Sequence, residues 1–227
     1  MRRSIVRVLA VSAVLLLLSL SVVGCSSKRT AEGEGTRAST TGLPKTVGGK
    51  GMRTIYFAGG CFWGIEKYLG LIHGVVNTEA GYANGASNSA TYGDGSGYAE
   101  AVRVDYDPSV APLPFLLDLF YRAIDPTSLN QQGNDIGTEY RSGIYYTDPA
   151  DSSIVGASLA KLQTRYDRPI AIEAGPLRTY TRAEDYHQHY LDKNPGGYCH
   201  IPFNLFKYAA AARPDPSEFP PASAAAK

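Results

Sequence analysis

Apolar and polar positions follow two different periods along the middle of the chain. Residues 54–58 (TIYFA) are a short apolar run halted by Gly59 and Gly60, as a buried strand would be. The next segment, 61–70, spaces Ile65 and Leu69 four apart and closes on Gly70, which predicts a helix. Residues 75–82 read as a strand, and 83–98 (ANGASNSATYGDGSGY) as a loop by composition. Alternation is cleanest over 99–106, where Glu100, Val102, Val104 and Tyr106 share one face of a strand. Leu113, Leu116, Leu117, Phe120 and Ile124 fall on one stripe and predict an amphipathic helix over 112–124. A long polar loop, 125–139, leads to a strand at 141–146. Asp148 and Pro149 supply an N-cap and a first-turn proline for a helix reaching about Tyr166. A strand at 169–174 and a helix at 182–191 complete the pattern. The order β-α-β-β-α-β, then α, β and α, predicts an α+β fold: a two-layer sandwich with a mixed sheet and a ferredoxin-like core. A doubly wound parallel sheet is disfavoured, because no helix separates 75–82 from 99–106.

The ends of the chain are of a different kind. Residues 1–7 are basic and 8–23 are apolar, a run short for a bilayer span but suited to a signal peptide. Val22-Val23-Gly24-Cys25 resembles a bacterial lipoprotein box, which implies cleavage before Cys25 and lipid on its thiol. A plain secretory signal or an uncleaved anchor would also place the remainder outside the cytoplasm. The expected location is therefore the bacterial cell envelope, lipid-anchored and facing the periplasm or the exterior. Four parts follow: a leader at 1–24, a flexible linker at 25–52, one domain at 53–212 and a disordered Pro/Ala-rich tail at 213–227. Lys and Arg number 22 against 21 Asp and Glu. Arg2, Arg3 and Arg7 leave with a leader that holds no acid, so the balance becomes −2. That argues against a nucleic-acid partner. Three cysteines exclude a disulfide-dense scaffold and a Cys₄ zinc site within one chain. A monomer is expected.

Cys61 is the leading chemical candidate. It follows a strand and two glycines and opens a helix, where unpaired N–H groups favour a thiolate. Phe62 and Trp63 put an aromatic wall beside the sulfur, suited to a methyl or thioether group. The competing reading is a structural disulfide with Cys199 inside a non-catalytic, anchored binding module. Glu100 shares the apolar face of its strand, so its carboxyl is expected to hold its proton; alternatively it lies at the strand mouth, in water. Tyr92, Asp135 and Tyr140 lie in or beside polar loops, where sites and ordinary turn residues both occur. His187 and His189 do not share a helix face, and His200 adjoins Cys199 without a metal-ligand spacing. A thiol hydrolase using His187 to activate Cys61 is a third reading.

Taken in order, several blocks resemble one family. Gly60-Cys61-Phe62-Trp63-Gly64 is similar to the signature of the A-type peptide methionine sulfoxide reductases. The likeness continues through Gly81 to Gly85, Ala99-Glu100-Ala101-Val102, Tyr106-Asp107-Pro108, Gly133 to Ser142, Ala183 to Gln188 and Lys193 to Cys199. It implies Cys61 as nucleophile, Phe62 and Trp63 as the substrate methyl pocket, and Glu100 as the acid on the sulfoxide oxygen. It further implies Tyr92 and Tyr140 as hydroxyl partners, Asp135 as a site carboxylate and Cys199 as the resolving cysteine. The implied reaction reduces methionine S-sulfoxide, free or in proteins, through a Cys61 sulfenic acid and a Cys61–Cys199 disulfide. A thioredoxin-like reductant reopens that bond, and no metal or organic cofactor is required. Three features depart from the family pattern: Tyr98 stands where a His is frequent, the Tyr92–Glu100 interval is shorter than usual, and no second cysteine follows Cys199. The last departure implies a one-step relay.

Overall fold

Strand β1 (Arg53–Gly59) runs through the middle of the molecule, and its side chains from Thr54 onward are buried on both faces. A computed structural model describes residues 51–86 and 90–219. The expected leader and most of the expected linker, Cys25 included, lie outside the described residues.

Helix α1 (Phe62–Gly70) begins directly after Cys61 and lays Phe62, Ile65, Tyr68 and Leu69 on the sheet. Strands β2 (Val75–Ala83) and β3 (Ala99–Tyr106) form an antiparallel pair, with every residue of β3 buried. Helix α2 (Leu113–Ala123) starts behind Pro112, whose fixed φ suits a helix entry, and buries Leu113, Leu116, Leu117 and Phe120. The segment expected as polar loop contains a small hairpin, β4 (Gln131–Gln132) and β5 (Asp135–Ile136). Gly133, at φ 58°, makes its turn. A 3₁₀ turn (Thr138–Tyr140) leads into β6 (Ser142–Tyr146), and α3 (Asp151–Gln163) follows. The chain then forms β7 (Glu173–Pro176), β8 (Tyr180–Arg182), the short α4 (Tyr190–Lys193) and α5 (Phe203–Ala211).

The strand order is β7-β6-β1-β3-β2-β8. Only β6 and β7 run parallel, so the sheet is mixed. Its inner four strands with α1 and α2 make the expected ferredoxin-like βαββαβ unit. Register places Phe57 opposite Val102 on one side and Ile144 on the other. This layer carries the main core beneath the helices, where the Phe57 and Phe120 rings sit 4.7 Å apart. The opposite face carries Tyr56, Ala58, Ala101, Tyr145 and Leu177. Beside them is a buried polar network: Thr54 Oγ1 donates to Asp105 Oδ1 at 2.6 Å, and Arg103 pairs with Asp105 at 3.1 Å.

Two expected elements are displaced. The strand foreseen at 169–174 starts only at Glu173. Ile170 and Ile172 do pack on the core, but the Ile170 and Ala171 amides donate to Gln163 Oε1 and the Pro126 carbonyl rather than to a ladder. The helix foreseen at 182–191 is instead strand β8 followed by turns. Gln188 takes the place of a strand there: its Oε1 accepts from the Ala80 amide and its Nε2 donates to the Ala80 carbonyl. Buried Glu66 accepts the His189 amide at 2.7 Å, and His189 turns the chain at φ 50°. Side-chain bonds to backbone have replaced the helical ladder. Helix α5 was not foreseen. Of the expected tail, residues up to Phe219 are described, and the Phe219 ring meets Phe115 at 5.5 Å.

Candidate active site

Cys61 sits where β1 hands over to α1, buried with 8 % of its surface exposed. Gly60 makes the hand-over at φ 84°, and a Cβ there would stand 2.6 Å from Gln132 Cβ. Glycine at this position therefore meets both a backbone and a space requirement. Glu100 approaches from β3 on the face that alternation predicted, 2 % exposed. The Phe62 amide donates to Glu100 Oε2 at 3.0 Å, which holds the carboxyl against the first turn of α1 beside the thiol. Burial pushes the Glu100 carboxyl up to about 8, helped by the negative charges of Asp135 and Glu139. At neutral pH this acid keeps its proton.

The thiol departs from expectation. A helix start was expected to favour the thiolate, but burial, followed by the neighbouring Glu100 charge, pushes Cys61 up. The nearby Trp63 amide pulls the other way without winning. Loss of water around the sulfur outweighs one turn of helix dipole, whose worth is about 0.3–1 kcal/mol at an exposed site.

An aromatic box stands over the pair. The Trp63 ring stacks on Tyr190 at 3.8 Å and 13°, and its Nε1 donates to His187 Nδ1 at 2.9 Å. His187 lies 5.0 Å from Phe62 and 4.9 Å from Tyr92, centroid to centroid. The Tyr92 and Tyr140 phenols neighbour each other, and both are pushed up by burial and by the Glu100 charge. Tyr92 is half exposed, at the rim. Tyr98 lies beneath it: its ring packs on Tyr82 at 4.5 Å and its hydroxyl accepts from the Gly93 amide. Asp135 lies near Tyr198 and acts electrostatically on Glu100, Cys61 and Cys199. Cys199 Sγ accepts from the Ile201 amide at 3.4 Å and lies against α1, 2.9 Å from where a Cβ on Gly64 would stand. Both thiols are free.

Phe62, Trp63, Tyr92, Glu100, Asp135, Tyr140 and Cys199 thus gather around Cys61. The box is apolar on one side and offers a carboxylic acid and two phenols on the other. That matches a polar oxygen carried on a sulfur between two apolar carbons. Neither His187 nitrogen engages the thiol: Nδ1 accepts from Trp63 and Nε2 lies 3.9 Å from Glu184. The hydrolase reading therefore lacks its base. Among the described residues no three His, Cys, Asp or Glu side chains converge to hold a metal ion.

Comparison with known proteins bears directly on this chemistry. Residues 53–216 match the family model described as "Peptide methionine sulfoxide reductase". This chain is a member of that family. The Lachnoclostridium phytofermentans reductase MsrA is 56% identical over 153 residues, covering 66% of this chain and 92% of the relative. MsrA of Clostridium acetobutylicum is 51% identical over 160 residues, 69% of this chain and 99% of the relative. Among solved structures, reduced Mxr1 from Saccharomyces cerevisiae is 38% identical, with a TM-score of 0.62 over 65% of this chain and 88% of that one. Methionine sulfoxide reductase A of Corynebacterium diphtheriae is 37% identical, with a TM-score of 0.60 over 68% of this chain and 85% of that one. The chain is therefore an oxidoreductase of the A type that reduces methionine sulfoxide by thiol chemistry. The non-catalytic, stapled module is set aside. In this reductase, Tyr190 stacks on Trp63 and Tyr198 lies near Asp135, and neither was foreseen as a site residue. They arrive on a one-turn helix and an irregular segment, so apolar spacing carries no sign of them.

Proposed function

We propose that this reductase takes the oxygen of methionine S-sulfoxide, free or in proteins, onto Cys61 and clears it through Cys199. One observation carries the assignment of roles: a buried, protonated carboxyl, Glu100, fixed by the Phe62 amide beside the Cys61 thiol. Phe62 and Trp63 hold the methyl group and exclude water. Glu100 donates its hydrogen bond to the sulfoxide oxygen, and the Tyr92–Tyr140 pair supplies further donors. Protonating that oxygen makes the sulfur electrophilic and draws the proton burden off the buried thiol. Cys61 attacks the sulfur, methionine departs, and the oxygen stays on Cys61 as a sulfenic acid. Cys199 displaces it as water and forms the Cys61–Cys199 disulfide, which a thioredoxin-like dithiol opens by exchange. Asp135, beside Tyr198, lies on the approach to both thiols.

The leader supports a second part of the reading. Lipid on Cys25 would tether the enzyme to the envelope, with a linker that would reach roughly 28 Å as a flexible coil. The enzyme would then repair exported proteins as a monomer. Globomycin sensitivity of processing, together with the mass of the mature N-terminus, tests the lipid.

The chemistry is tested with one equivalent of dabsyl-methionine sulfoxide and no reductant. Dabsyl-methionine and an enzyme lighter by two hydrogens are expected. C61S should form no product. C199S should give one methionine per enzyme and then stall as the sulfenic acid. Equal loss of the first equivalent in both variants would overturn the division of roles.

A further inference from the structure

His200 is buried as a side chain, 3% exposed, and is joined directly to Cys199. Two side-chainless positions make room for its ring. A Cβ on Gly60 would lie 3.0 Å from His200 Cε1, and one on Gly133 would lie 3.1 Å from His200 Cβ; both glycines have positive φ. The imidazole is thus carried by the residue after Cys199 and packs against Gly60, the residue before Cys61. Neither of its nitrogens has a well-formed hydrogen bond. The nearest charged group is Asp135, whose own buried Oδ2 also lacks a hydrogen-bond partner and lies 3.6 Å from His200 Nδ1. Gln132, packed against the same glycine, is fully engaged with the Asp125 backbone and Ser142. A buried imidazole with no well-formed partner, facing a buried carboxylate oxygen in the same condition, is costly unless the site uses the pair.

The first half-reaction does not need this pair, since Glu100 and the phenols serve the sulfoxide. The second half-reaction does need a proton carrier. Cys199 must lose a proton as its sulfur attacks, and the hydroxyl on Cys61 must gain one to leave as water. We propose that His200, held by Asp135, is the positioning and relay group for that resolving step. Neutral imidazole takes the Cys199 proton as the S–S bond forms and the Cys61 S–O bond breaks. The imidazolium, balanced by Asp135, returns that proton to the departing oxygen. Atoms and electrons close with Cys61–SOH and Cys199–SH giving disulfide and water, with no outside reagent. Burial favours the neutral ring, and Asp135 and the Gly59 backbone oppose it. The other titratable groups around the pair are Cys61, Cys199, Glu100 and Tyr198.

The inference rests on the sulfenic-acid reading above, and the experiment separates the two. Full-length wild type, H200N and H200A are mixed with one equivalent of dabsyl-methionine sulfoxide without reductant. Methionine release and loss of free thiol are followed separately. Both variants should release one methionine per enzyme at the wild-type rate. Thiol loss should slow by about 10²-fold or more, in line with a missing acid–base group. Imidazole should restore thiol loss in H200A, and the non-basic isostere pyrazole should not. Wild-type rates of thiol loss in H200N, slowed loss in H200A indifferent to imidazole, or loss of the methionine burst in both variants would each overturn the relay. Absence of methionine from wild type would instead overturn the sulfenic-acid reading itself.

Discussion

Glu100 shows how one side chain is set by its surroundings. Its strand alternation puts it on the core face, and desolvation keeps it protonated until about pH 8. Two pH effects follow. The first-step rate at saturating sulfoxide should fall above about pH 8, as the acid loses its proton. E100Q should lack that limb and run about 10²–10⁴-fold slower, read by single-turnover methionine release. An alkaline limb unchanged in E100Q would assign the titration elsewhere. Stability has its own sign. The native acid titrates near 8 and an unfolded one near about 4.3, so between those values folding takes up a proton. The contribution of this group therefore declines as pH rises through that window and flattens above it. Urea unfolding across the window should show stability falling more steeply with pH in wild type than in E100Q, since the other shifted groups are common to both.

Helix α1 organises the site as an element. Its entry carries Cys61, its first turn holds Glu100 through the Phe62 amide, and Trp63 projects to the aromatic box. Gly64, in the same turn, leaves room for Cys199 Sγ. A methyl at that position would overlap the sulfur and displace the resolving cysteine. G64A should therefore keep the first equivalent of methionine yet form the Cys61–Cys199 disulfide more slowly, at an overpacking cost of about 1–3 kcal/mol in stability. Thiol titration after one equivalent of substrate, with thermal unfolding alongside, checks both parts. Disulfide formation at the wild-type rate would show that Cys199 reaches Cys61 by a path that avoids Gly64.

At the scale of the whole molecule, the sheet separates stability from chemistry. The helix-covered face carries the site, and the other face buries Asp105 with Thr54 and Arg103. Removing Asp105 takes an acceptor from Thr54 and Asn77 and one acidic neighbour from Arg103, with Glu79 remaining near that guanidinium. D105A should lose about 1–3 kcal/mol of stability, read by denaturant midpoint, while kcat per folded enzyme stays unchanged. A matching fall in kcat would show that the two faces are coupled. The central β6-β1-β3-β2 order also brings the two groups together. Cys61 follows β1 and Glu100 lies on the adjacent β3, and the register pairs Ala58 with Ala101, the residue after Glu100.

What the residues determined by themselves is what repeats locally. The strand containing Phe57, the alternating strand of Glu100 and the leucine stripe of α2 were legible because one face of each must be buried whatever surrounds it. Cys61 was legible because a glycine pair followed by a helix start is a local feature. The turn from Ala183 to His189 was not: Gln188 bonds Ala80 and Glu66 bonds the His189 amide, contacts between residues distant in sequence. The same holds for Tyr190 on Trp63 and for His200 between Gly60 and Gly133. Even the protonation of Cys61 was a tertiary outcome. The helix start favoured charge on the sulfur, and the surrounding packing withdrew the water that would have sustained it.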